Sequence, residues 1–280
     1  MKILLKFQIN TDRLPANMKN VILYISTVLI WGATWYAIKL QLGHAPIEIS
    51  IFYRAFFAAI LLIIFCKIRR YSLKFSLINH FYICLLGLSM FSIHYIFIYD
   101  STHYIYSGIV AVVCSCNSFL NIMHNYIFFK VKPRLNVIFG ALIGIAGLGI
   151  FFWHEFFNIE LSDAVLKGLI LSIIGAIIFS FGGAITKRNN HHAIPILPAI
   201  AISTAYGSII MLIYTLIQGH ECALPSSLSY WGSLVYLIIF GSIIAFACYM
   251  QLIKNIEPEL AGYASVLFPI VALFFSSFFE

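Results

Sequence analysis

Apolar runs of about 20 residues, the length of helix that crosses a bilayer core of about 30 Å, recur along this chain with short polar stretches between them. No other feature restricts the fold as much. Hydropathy predicts nine membrane-spanning helices, over residues 20–41, 47–66, 77–99, 104–129, 136–153, 167–187, 194–217, 230–253 and 259–279. Lipid offers no water to unsatisfied backbone groups, so each run must close its own hydrogen bonds as helix. The expected fold class is therefore an all-α polytopic membrane protein. With 62% hydrophobic and 10% charged residues, against about 25% charged in a soluble domain, no single water-soluble core could hide this surface.

Charge then predicts the threading. Lys67, Arg69, Arg70 and Lys74 follow the second span, Lys130, Lys132 and Arg134 the fourth, Lys187 and Arg188 the sixth, and Lys254 the eighth. All fall on the side of the lead at residues 1–19, which carries Lys2, Lys6, Arg13 and Lys19 and lacks the uninterrupted apolar core of a signal peptide. The opposite loops hold Glu48, Asp100, His103, Glu155, Glu160, Asp163 and Glu221, with Lys167 their one basic loop residue. The positive-inside rule predicts a cytoplasmic N-terminus, and Met18, directly before Lys19, is an alternative start. The expected location is a bacterial inner membrane.

Several function classes drop out. The net charge of +7 comes from these loop clusters, without a basic face or aromatic RNA-binding pattern, so no nucleic-acid partner is expected. The six cysteines lie mostly inside apolar runs, and Cys114 and Cys116 would point about 200° apart on a helix, so neither a disulfide framework nor a metal site is expected. His191-His192 reads as surface loop. Gly182-Gly183 lacks the Lys-Ser/Thr ending of a phosphate loop, and no zincin pattern or nucleophile elbow occurs. The chain is expected to be no enzyme and to need no cofactor; uphill transport would draw on a proton gradient or an exchanged counter-solute.

An internal repeat underlies the spans. Thr34 to Lys39 lies on Gly182 to Lys187, His44-Ala-Pro46 on Ala193-Ile-Pro195, and Tyr95 to Gly108 on Tyr249 to Gly262. The lead is followed by a first repeat at 20–153, with five spans, and a second at 167–280, with four. Repeats with an odd number of spans are inverted relative to one another, which in transporters places a solute site near the midplane between them.

Trp31-Gly-Ala-Thr-Trp-Tyr-Ala-Ile-Lys39, then Tyr53-Arg54-Ala-Phe-Phe-Ala-Ala59, then Gly140-Ala-Leu-Ile-Gly-Ile-Ala-Gly147, resembles the EamA-type branch of the drug/metabolite transporter superfamily. The resemblance extends over nearly all of 20–280. It implies ten helices in two inverted five-helix repeats and the transport of small metabolites, often amino acids or other amphipathic compounds, mostly outward. Pro269 and Glu280 match the family's ninth helix and its following Glu, after which the family has a tenth helix and this sequence stops. The expectation is thus a bundle lacking its tenth helix. A secondary carrier working by alternating access is the favoured reading; a transport-inactive remnant or membrane interaction protein is the alternative.

Polar residues inside the spans are the candidates for the site. Trp31, Trp35 and Lys39 follow one face of span one, with an interfacial belt and a snorkelling Lys as the competing account. Arg54 in span two costs about 2.5–3.5 kcal/mol near a bilayer centre; it reads either as an anion contact or as a structural donor, and Glu48, about 240° round the helix, is a poor partner. Tyr95 and Tyr99 share a face of span three beside His94. Asn117, Asn121 and Asn125 form a stripe that must face protein or water, and interhelical hydrogen bonding is favoured over solute contact. Tyr249, Tyr263, Ser180 and Gln251 are the candidates in the second half, and Pro269 is a kink site. The predicted solute pocket comprises Trp35, Arg54, Tyr95, Asn117, Tyr249 and Tyr263, with Trp31, Lys39, Tyr99, Ser180 and Gln251 as further cavity-lining candidates. Gly140, Gly144 and Gly147 read as a packing face inside the bundle, with a homodimer contact as the alternative.

The predicted threading has a direct test. In a background stripped of native cysteines, V131C and T102C should label with an impermeant thiol reagent from opposite sides of the membrane. Labelling from one common side would refute it.

Overall fold

The computed structural model describes residues 15–41, 43–105, 107–151, 153, 162–220 and 225–279. The lead before residue 15, Glu155, Glu160, Glu221, Cys222 and Glu280 lie outside the described residues. Helix α1 covers Ala16–Lys39, α2 Ile47–Ile68, α3 Leu77–Met90, α4 Ile93–Ser101, α5 Ser107–Ser115, α6 Asn117–Phe129 and α7 Leu135–Phe151. Helix α8 covers Asp163–His191, α9 Ile196–Ile217, α10 Leu228–Tyr236, α11 Ala245–Ile256, α12 Pro258–Ala261 and α13 Ala264–Phe279, with a π-helical segment, Leu237–Ile244, joining α10 to α11.

Of the nine predicted spans, six form helices long and apolar enough to cross a membrane among the described residues. The other three are shorter or interrupted. The fourth breaks at Cys116, where the Ser115 hydroxyl donates to the Val112 carbonyl at 2.6 Å and the Cys116 amide bonds back to Val113 instead of one residue further; a hydroxyl competing for helix carbonyls loosens the regular ladder. Ser115 stands where the second half has Pro269, yet the helix runs unbroken through Pro269. The sixth span is longer than predicted and takes Lys187 and Arg188 out of the loop and into α8.

Hydrogen bonds fix which element ends lie together. At one end Asn20 meets Asn255, Asn79 meets Arg188, and Asn125 meets Lys187. At the other, Ser50 meets Tyr230, Tyr104 meets Lys167, and Glu48 faces His220 at 3.6 Å. The basic turn after α6 at Lys130 and the basic end of α8 at Arg188 thus gather at the end opposite Asp100 to Tyr104.

Packing is reciprocal between the halves. Helix α1 lies on α11 and α13, while α8 lies on α3, α4, α5 and α6, and α2 packs along α9. Inside a bilayer, lipid is as apolar as any side chain, so helices associate through close contact and small residues. Accordingly α2 buries Ser50, Ala55, Ala58 and Ala59, and α9 buries Ala199, Ala201, Ser203 and Gly207. Backbone approach is closest at Gly87, where an added Cβ would sit 2.3 Å from the Ser203 carbonyl. In α7, Gly140 and Gly144 face Tyr263 and Val266, so two of the three predicted packing glycines are used within the bundle; Gly147 has nothing within 4 Å of an added Cβ among the described residues. Phe139, Leu142, Ile143 and Ile150 stay exposed on the same helix as a lipid-facing surface.

G87V should therefore lower the unfolding midpoint in detergent, since overpacking costs about 1–3 kcal/mol. G147A, with nothing to meet, should leave the midpoint unchanged or slightly raised. Equal effects at both positions would contradict the described contact.

Candidate functional site

Two buried polar regions lie one above the other along the bundle, and they differ in whether their partners are present. The lower region, at the end that gathers the basic turns, is built on the Asn stripe of α6. Asn121 donates to the Pro258 carbonyl at 2.8 Å and accepts from the Ser180 hydroxyl at 2.8 Å, and that hydroxyl lies 2.9 Å from His124 Nδ1. Asn125 donates to Glu259 at 2.5 Å and accepts from Lys187 at 2.8 Å, and Lys187 also pairs with Glu257 at 2.5 Å. Asn117 reaches the Tyr249 hydroxyl at 3.4 Å. The expected interhelical role of the stripe is thus what the structure shows: α6 is tied to α8, α11 and α12.

Local backbone choices make this seam possible. Gly183 leaves room for Asn121 Oδ1, which would be 3.0 Å from an added Cβ, and Gly182 does the same for Met90. Glu257 has φ 76° and ψ 155°, a region that residues other than Gly enter only at a cost of about 1–3 kcal/mol. Pro258 follows it and opens α12, with the missing N–H at a position where no intrahelical bond is needed.

Above the seam lies a cavity with about 820 Å³ of empty space, including its open mouth. Its wall runs along α1 from Trp31 to Ile38, about 10 Å at 1.5 Å per residue. Trp31 packs on Phe246 and Tyr249, with ring centres 5.2 and 5.0 Å away, and Phe268 stacks on Trp35 at 6.3 Å. Aromatic walls with a few fixed polar groups are the usual make-up of a small-molecule pocket.

Arg54 is the charged group in that wall, 5% exposed. Its Nε donates to the Ser242 hydroxyl at 2.6 Å, and its guanidinium carbon lies 4.8 Å from the centre of the Tyr95 ring. Tyr99 faces the same guanidinium. The π-helical segment delivers these contacts. Its wider turn brings both Gly241 and Ser242 to face α1 and α2: the Gly241 carbonyl accepts from Trp31 Nε1 at 3.4 Å, and a Cβ there would lie 3.2 Å from an Arg54 nitrogen. Single π turns inside helices concentrate at functional sites. Among the described residues no carboxylate pairs with Arg54; Glu48 faces His220 instead.

Two buried atoms in the wall lack partners among the described residues: Asn117 Oδ1 and His94 Nδ1. The His94 ring centre is 3.9 Å from that of Tyr95. An unsatisfied buried polar group costs about 1–3 kcal/mol, so two such atoms converging on a cavity that also carries the Arg54 guanidinium point to a polar occupant.

Of the residues predicted from sequence, Trp31, Trp35, Arg54, Tyr95, Tyr99, Asn117 and Tyr249 come together in the lining. Four lie elsewhere. Tyr263 turns away and donates to the Val137 carbonyl at 2.5 Å, joining span nine to α7. Ser180 belongs to the seam. Gln251 bonds Asn255 at 2.8 Å at the basic end, and Lys39 is exposed at the end of α1. Sequence reasoning passed over Ser242, Phe179, Phe246 and Cys114, all but Ser242 cavity-lining residues. The one signal was the Gly241-Ser242 pair inside an apolar run, which a regular helical register would not aim at Arg54.

Comparison with known proteins places the chain among relatives. The model of the EamA-like transporter family matches residues 18–153 and again 166–280. The chain is 30% identical to the uncharacterized inner membrane transporter YedA of Escherichia coli (strain K12), over 88% of this chain and 78% of that protein. It is 24% identical to the uncharacterized transporter YoaV of Bacillus subtilis (strain 168), over 90% of this chain and 85% of that one. It is also 26% identical to Protein PagO of Salmonella typhimurium, over 90% and 82% respectively. A solved crystal structure shares the fold with a TM-score of 0.76 at 16% identity, covering 94% of this chain and 89% of that one.

N121A removes both the acceptor of Ser180 and the donor to Pro258. It should cost about 1–3 kcal/mol for the buried groups left unpaired, read as a lower unfolding midpoint in detergent. No change in the midpoint would show that the seam carries no stability.

Proposed function

We propose, from the premise that this chain belongs to the EamA-like transporter family and is a multi-pass membrane transporter and no enzyme, that it carries small organic anions with an apolar, ring-sized body. The carrying observation is Arg54: a buried guanidinium on an aromatic cavity wall, with no carboxylate partner among the described residues. Arginine presents its donors as a planar fork that fits carboxylate or sulfonate oxygens. Here Ser242 and Tyr95 hold that fork in place, and Trp31, Trp35, Phe179 and Phe246 offer rings for the rest of the solute.

The mechanism needs no covalent step. In this reading the two halves are inverted repeats, and the reciprocal packing of α1 and α8 supports that relation. Breaking the seam while the opposite end closes would expose the cavity to the other side. The N-terminus lies in the cytoplasm, as the basic clusters at the seam end support, and the membrane is the bacterial inner membrane, as the relative's name supports. Net movement is outward, as the family resemblance supports, driven by a proton gradient or a counter-solute.

The test is uptake of labelled aryl carboxylates and their uncharged amides into vesicles carrying the protein. Wild type should prefer the acid over the amide by tenfold or more. R54A should lose transport at least tenfold while still inserting, and R54K should recover part of it, because a point charge keeps attraction without the fork. Equal transport by wild type and R54A would overturn the anion reading.

A further inference from the structure

His94 is 5% exposed, lines the cavity, and has an Nδ1 with no partner among the described residues. It is not a packing histidine with both nitrogens engaged. The groups around it are few. Its own helix presents the phenols Tyr95 and Tyr99, α3 the Ser89 backbone carbonyl, α8 the Phe179 ring and α2 the Arg54 guanidinium. The ring of Tyr95 stands 3.9 Å from the imidazole and 4.8 Å from the guanidinium carbon, so the two basic groups are less than about 9 Å apart. Among the described residues no carboxylate faces either of them.

This arrangement links two equilibria. A proton on His94 beside an uncompensated Arg54 would put two like charges in a low-dielectric wall, which is unfavourable. An anion seated on Arg54 removes that repulsion and supplies an opposite charge to the imidazole. Proton and anion each raise the other's affinity by the same factor, as linkage requires. The Ser89 carbonyl takes the N–H of the neutral ring and leaves the Nδ1 lone pair as the acceptor, on the assignment that the ring proton is on the other nitrogen.

We propose that His94 takes up a proton when an organic anion settles on Arg54, so that anion and proton occupy the cavity together. This rests on the reading of Arg54 as an anion contact. The protein then carries the pair as an electroneutral unit: one anionic charge on the solute, one proton on Nδ1, and no charge moved across the membrane by the loaded cavity beyond the fixed charge of Arg54. Because the proton moves with the solute, an inward proton gradient would oppose export of the pair, so net outward movement on this reading runs down the solute's own gradient or on a counter-solute.

The sign follows from the linkage. Anion binding tightens as pH falls and His94 can be charged, and weakens as pH rises and the proton is lost. The probe is benzenesulfonate, which stays ionised throughout and so adds no titration of its own. Its binding to purified full-length protein is followed by the fluorescence of Trp31 and Trp35, which line the cavity, between pH 5 and 8. Wild type should bind up to about tenfold more tightly per unit fall in pH over part of that range. Calorimetry in buffers of different ionisation enthalpy should register uptake of close to one proton per anion. H94Q and H94N should bind with an affinity independent of pH and with no proton uptake. Two variants are needed so that one misfolded protein does not decide the matter, and each should keep the wild-type unfolding midpoint. Wild-type binding that ignores pH, or undiminished proton uptake in both variants, overturns the proton site and leaves the anion reading standing. Wild-type binding that is absent, or is undiminished in R54A, overturns both.

Discussion

A polar side chain inside a bilayer has no water to fall back on, so it must find its partner in the protein or keep a place for one that arrives. This chain does both, at different depths. Around α6 the amides of Asn121 and Asn125 are spent on α8 and α12. Beyond that seam, His94 and Asn117 face a cavity with hydrogen-bonding capacity left over among the described residues, beside the Arg54 guanidinium. The contrast separates paired from unpaired polar groups more sharply than burial does, since His94 at 5% and Asn125 at 3% are almost equally hidden.

Close packing is what holds those depths apart. Gly87 against Ser203 brings α3 onto α9, and Gly182 and Gly183 let α8 approach Met90 and Asn121. An added Cβ would run into backbone at Gly87 and would force Met90 or Asn121 to shift at Gly182 and Gly183. The π-helical segment adds the complementary device: by widening one turn it exposes the Gly241 carbonyl to Trp31 and aims Ser242 at Arg54. A regular α-helix through 237–244 would rotate later residues by a fraction of a turn, and Phe246 and Tyr249 would leave the cavity wall.

Much of this was legible in the residues because lipid forces helix and punishes unpaired charge. The spans and the significance of Arg54 and the Asn stripe follow from those two rules, while the family resemblance rests on motifs such as Trp31 to Lys39. What escaped was register. Tyr263 and Ser180 occupy sensible positions on their helices, but helix rotation turns one toward Val137 and the other toward Asn121, and a lone sequence does not encode rotation about a helix axis. The break at Cys116, opposite an unbroken helix through Pro269, has the same lesson. A Ser hydroxyl back-bonding to Val112 marks the interruption at Cys116.

The seam also sets the energy scale on which a carrier of this kind would have to work. Three links join α6 directly to the last part of the chain: Asn117 to Tyr249, Asn121 to Pro258 and Asn125 to Glu259. At about 0.5–1.5 kcal/mol each, or up to about 3 for the charged one, opening them together costs roughly 2–6 kcal/mol. A solute held with millimolar to micromolar affinity contributes about 4–8 kcal/mol. The two ranges overlap, so neither overwhelms the other: a much stronger seam would hold the bundle in one state with solute bound, and a much weaker one would open without it. A ligand moves such an equilibrium only through its different affinities for the two states. In the proposed mechanism that difference must come from the upper region, where closing the aromatic walls around an anion on Arg54 would add contacts that the open cavity lacks.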